Sequence, residues 1–87
     1  MKVKVFAIWD AKAKLFGFPF CLINEGVAVR MFTEIVNDKK SQESKYPTDY
    51  ALYVIGEYDQ ATGEVLSDKP VSLGLGSAFV FTPQAPE

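Results

Sequence analysis

Two segments of this chain, residues 2–9 and 50–58, are apolar on both sides of an extended strand, and only one helix is available to cover them. In Lys2-Val3-Lys4-Val5-Phe6-Ala7-Ile8-Trp9 the odd positions are all apolar, and the even positions add Phe6 and Ile8 to Lys2 and Lys4. Side chains alternate across a strand, so such a segment belongs at the centre of a sheet covered on both faces. Tyr50-Ala51-Leu52-Tyr53-Val54-Ile55-Gly56-Glu57-Tyr58 repeats the pattern with strand-favouring aromatic and β-branched residues. Helical spacing is sustained only where Ala28, Met31, Phe32, Ile35 and Val36 fall on one face and Arg30, Thr33, Glu34 and Asn37 on the other. Asn24 is a good N-cap there, Glu25 suits the first turn, and Asn37 or Asp38 ends the helix. One helix covers one face of a sheet. The other apolar face is left for something else.

The remaining elements follow from their punctuation. Asp10-Ala11-Lys12-Ala13-Lys14 is a polar connection, and residues 15–23 are apolar but broken by Gly17 and Pro19, giving an edge strand or irregular extended segment. Residues 38–45 are charged and aperiodic, a loop, and Tyr46-Pro47-Thr48-Asp49 is a turn. Asp59-Gln60-Ala61-Thr62-Gly63 reads as a hairpin loop closed by Gly63 at positive φ. Glu64-Val65-Leu66 returns, Ser67-Asp68-Lys69-Pro70 turns again, and residues 71–75 form a last strand that Phe79-Val80-Phe81 extends. The order is β-(β)-α-β-β-β. It predicts an α+β fold, an antiparallel or mixed sheet of about four to five strands packed by a single helix. One domain spans residues 1–81, and residues 82–87 form a frayed tail.

With 87 residues, 48% hydrophobic and 23% charged, the chain can build a core without staples. The lone cysteine, Cys21, lies in Phe20-Cys21-Leu22-Ile23 and reads as a buried thiol in a protein of a reducing compartment. No apolar run approaches the roughly 18–20 residues of a membrane span, and the N-terminus lacks the continuous hydrophobic region of a signal peptide. The expectation is a soluble, cytoplasmic protein with no membrane partner.

Catalytic readings fail one by one. The chain has no histidine, hence neither the commonest general base nor the commonest metal ligand, and one cysteine cannot build a zinc site. Asp10 with Glu25, or Asp49 with Asp59, would make a carboxylate pair only if something brought them together. Gly74-Leu75-Gly76-Ser77-Ala78-Phe79 begins like a dinucleotide-binding loop, but Phe79 stands where the third glycine belongs. The expectation is a binding protein and not an enzyme, with no catalytic residues, metal, cofactor or small-molecule substrate.

Charge is unevenly spread. Residues 1–45 hold eight Lys/Arg against five Asp/Glu, and residues 46–87 hold one against six. That marks either an anion-binding face or two solvated surfaces that attract each other. Aromatics lie on or beside the strands, with Lys2, Lys4, Lys12 and Lys14 near the first ones. Single-stranded nucleic acid is held on sheets by this combination, bases stacking on rings and lysines meeting phosphates.

The opening Met1-Lys2-Val3-Lys4-Val5-Phe6-Ala7-Ile8-Trp9-Asp10, then Gly17-Phe18-Pro19-Phe20, the helix of residues 26–38, residues 46–59 and Thr62-Gly63 resemble the small non-structural protein of the gokushovirus branch of microviruses. The likeness covers about residues 1–75 in order and spacing. Those phages carry circular single-stranded DNA. The resemblance implies a non-capsid DNA-binding or DNA-synthesis accessory factor in the cytoplasm of a bacterial host, acting where viral single strands are made for packaging. It brings no agreed set of binding residues. Residue chemistry selects Lys2, Lys4, Phe6, Lys12, Lys14, Arg30 and Tyr53 as the candidate nucleic-acid site of a dimeric single-stranded-DNA-binding protein. The alternative is a homodimeric interaction module that regulates a replication or assembly partner through the second apolar face.

Overall fold

In the computed structural model, which describes residues 1–81, β1 (Lys2–Asp10) lies inside a five-stranded antiparallel sheet. β2 (Leu15–Phe16) and β3 (Phe20–Leu22) share one side of β1, and β4 (Tyr50–Asp59) pairs along the other. β5 (Val65–Leu75) pairs with β4 and forms the outer edge. Between β3 and β4 come α1 (Glu25–Asn37), the single turn α2 (Gln42–Lys45) and a 3₁₀ turn at Pro47–Asp49. The expected α+β class, with strands, one main helix and strands again, is the fold observed, and every pairing in the sheet is antiparallel.

The helix forms where its signals stand. The Asn24 side chain accepts a hydrogen bond from the Val27 N–H at 2.9 Å, Glu25 occupies the first turn, and the Asp38 N–H closes the last turn on the Ile35 carbonyl. Its buried stripe is Ala28, Phe32 and Val36, which meets Phe6 of β1 and Leu52 of β4 to make the core. Phe20 stacks on Phe6 with centroids 6.0 Å apart, and Phe79 meets Phe32 edge-on at 5.8 Å.

Four local expectations are corrected. Residues 67–70 do not turn: they belong to β5, which continues because the register jumps from Val54↔Val71 to Gly56↔Ser67. Asp68, Lys69 and Pro70 thus bulge opposite Ile55 alone, on an edge where the missing proline N–H costs no ladder bond. Phe79, Val80 and Phe81 do not extend the strand. After a 3₁₀ turn at Gly76–Ala78, Asn37 captures this segment, donating to the Phe79 carbonyl and accepting from the Phe81 N–H. In the charged loop, Ser41 caps α2 by accepting from the Ser44 N–H. Cys21 is exposed, because the edge strand β3 aims it away from the helix. The expected frayed tail, residues 82–87, lies outside the described residues.

Candidate nucleic-acid interface

Residues directly opposite in an antiparallel ladder share a face, so the register sorts the sheet into two surfaces. On the face away from the helix the rows are Phe16–Trp9–Ala51–Leu75, Ala7–Tyr53–Ser72, Cys21–Val5–Gly56–Ser67 and Val3–Tyr58–Val65. None of these side chains is charged. On the helix face the rows include Lys2–Asp59, Leu22–Lys4–Glu57–Leu66 and Leu15–Asp10–Tyr50, along with the core. Among the paired positions of the sheet, charge is confined to the side where the helix packs; Asp68 and Lys69 stand unpaired in the β5 bulge.

The open face carries an aromatic cluster at one end. Trp9 and Phe16 lie 4.9 Å apart between ring centroids, and Phe16 meets Tyr53 edge-on at 5.2 Å. The middle of the face is shielded: Ala7, directly opposite Tyr53 and two residues before Trp9, is only 1% exposed. Trp9 and Tyr53 remain half-buried, and Phe16 is 42% exposed. The turn joining Trp9's strand to Phe16's presents Lys12 and Lys14, both exposed. Asp10 organises it by accepting from the Lys12 and Ala13 N–H groups at 3.0 and 3.2 Å, while the Lys14 N–H donates to the Asp10 carbonyl. Lys14 sits at φ 59°, a left-handed conformation uncommon for lysine.

The model of the phage ORF5 protein family matches residues 3–79. The chain belongs to that family. The match runs from Val3 in β1 to Phe79, and so takes in all of the sheet but Lys2, the helix and the aromatic cluster. No curated protein and no solved structure matches the chain.

In this ORF5-family chain the seven residues selected from sequence do not form one surface. Lys12, Lys14 and Tyr53 lie at the aromatic end of the open face. Phe6 is a correction: it is 0% exposed beneath the helix, and a ring with no free surface cannot stack on a base. Lys2 and Lys4 are corrected too, since their even parity puts them on the helix face, where the Lys4 ammonium lies 3.7 Å from Glu57 and Lys2 is opposite Asp59. Arg30 is exposed on α1, and that helix packs on the other side of the sheet from Tyr53. Trp9 and Phe16 were missing from the selected set. Parity supplied the signal for Trp9, which alternates with Val3, Val5 and Ala7. Phe16 gave none until its pairing with Trp9 across the lysine turn was known.

Among the described residues no helix is long and apolar enough to cross a membrane, and no group of three or more acidic or cysteine side chains is placed to hold a metal ion. At the far end of the sheet the Asp59 carboxyl is held below its ordinary value of 3.8, chiefly because the Ala61 N–H donates to it at 2.9 Å. The positive N-terminus, 3.9 Å away, acts in the same direction. The Gln60 N–H donates to the Met1 carbonyl at 2.9 Å and ties the β4–β5 hairpin to the start of β1.

Proposed function

We propose that this phage protein acts by binding, without catalysis, and that it holds single-stranded DNA on the open face of its sheet. The observation that carries the reading is the cluster of Trp9, Phe16 and Tyr53 on an uncharged face, bordered by the turn bearing Lys12 and Lys14. Bases stack on the rings and the lysines meet the phosphates. The resemblance to the gokushovirus non-structural protein supports the same reading. It suggests an accessory role in viral single-strand synthesis or packaging in the host cytoplasm. Trp9 is the chain's sole tryptophan, so titration with an oligodeoxythymidylate can be followed by quenching of its fluorescence. Stacking predicts quenching, and two phosphate contacts predict a log–log salt slope of about −1.4. Unchanged fluorescence together with no retention of a labelled oligonucleotide at low salt would end the proposal.

A second reading has its own support. The uncharged rows continue past the aromatics to Val5, Val3, Tyr58 and Val65, toward the end of the sheet away from the Lys12–Lys14 turn. On this reading the face joins two copies of the chain, as a module acting on a replication or assembly partner. Lys12/Lys14→Glu separates the two: it abolishes DNA binding under the first and leaves association intact under the second.

A further inference from the structure

The helix side of the molecule holds a cavity that neither reading uses. It measures about 480 Å³ and opens between the β1–β3 edge of the sheet, α1 and α2. Ile8, Phe20, Leu22, Met31 and Ile35 give it an apolar lining. Its acidic lining residues are Asp10 and Glu43, with the Tyr50 phenol beside them, and no lysine or arginine contributes. A cavity of this size, mostly apolar with a few convergent polar groups, has the form of a small-ligand site.

The two carboxylates differ in what the fold asks of them. Asp10 organises the lysine turn through its own hydrogen bonds. Glu43 has no hydrogen bond and no ion pair among the described residues, although it is only half-exposed. Burial raises the Tyr50 hydroxyl above its ordinary 10.0, and Asp10, Glu43 and Asp49 raise it further, so this end of the cavity is negative. An anion seated there would meet two carboxylates, and a neutral guest would leave Glu43 without a partner.

We propose that this cavity binds an organic cation with an apolar body, its ammonium or guanidinium group held by Glu43 and Asp10. The body fills the space between Ile8, Met31 and Ile35. A free amine and the side chain of a basic, apolar peptide share this chemistry. Three probes with one body and different charge test it on the full chain: 3-phenylpropylamine, 3-phenylpropanol and 3-phenylpropanoate. The readout is the backbone amide shifts of residues lining the cavity. The amine is expected to bind at least about tenfold tighter than the carboxylate, a difference of about 1.4 kcal/mol. Glu43→Gln should remove most of that preference while leaving the melting temperature in place, and Ile35→Trp should block all three probes. An acetylated Phe-Lys dipeptide amide, tighter than the amine, identifies a peptide source; weaker, a free amine. Equal or tighter binding of the carboxylate, shifts located away from the cavity, or no binding of the amine at millimolar concentration would overturn the proposal.

Discussion

Phe6 and Tyr53 lie on adjacent strands of one sheet, yet they make opposite predictions. Phe6 has its whole ring in the core, and Phe6→Ala should cost about 3–5 kcal/mol, most of the stability of a small domain. Tyr53 faces outward, and Tyr53→Ala should leave a folded protein that has lost about 1–3 kcal/mol of base stacking, roughly five- to 150-fold in affinity for an oligonucleotide. Thermal melts and fluorescence titrations of the two variants separate these roles. If Tyr53→Ala binds as the parent does, Tyr53 is not part of a stacking platform. The pH response is also decided by single residues. Asp59 is held below 3.8 in the folded chain by the hydrogen bond from Ala61, so its contribution is present above that value and is lost as pH falls through the lowered one. Asp59→Asn should therefore flatten acid unfolding below about pH 4, followed by circular dichroism. Tyr50 works at the other limit. Its raised pKa favours the protonated folded state, so stability falls as pH rises beyond 10.0, and Tyr50→Phe should remove that slope.

Elements were legible in proportion to how locally their causes act. α1 was readable because its stripe, its Asn24 cap and its stop lie within the helix itself, and Asn24→Ala should cost about 1 kcal/mol in a denaturant melt. The Gly63 turn was readable for the same reason, and its φ is 80°. β5 was not. Ser67-Asp68-Lys69-Pro70 has the composition of a turn, and only the shift in pairing with β4 makes it a bulged strand. Gly56 belongs to that same irregularity: a side chain there would collide with the Leu66 carbonyl oxygen. Gly56→Ala should therefore separate the two strands and lower the melting temperature. The exposure of Cys21 was hidden too, because an apolar run does not reveal which edge strand carries it or which way that strand faces.

At the scale of the whole molecule, sequence showed that one apolar face would lack a helix, but not that the lysines would sit mostly elsewhere. The parity of Lys2 and Lys4 placed them with Phe6, and this could be read from β1 alone. The position of Arg30 on the opposite layer could not, since it depends on which face the helix chooses. Both readings expect a dimer, and they differ in whether the open face is its seam. Light scattering across a concentration series should give a dimer joined through this face under the second reading, and Val65→Lys, at a position 66% exposed on the face, should return it to a monomer. A monomer throughout would remove that reading and, with it, the dimer expected of the DNA-binding one. Whatever covers the face, the bulge of Asp68, Lys69 and Pro70 sets a limit on how copies add to one another. A sheet grows without end when each new strand leaves a fresh rim for the next, as in fibrils. Here one rim is kinked, charged and short of a donor, while the paired positions of the open face carry no charge. Association through the broad side stops once two surfaces have met, so the open face can meet a partner without strands being added at the β5 rim.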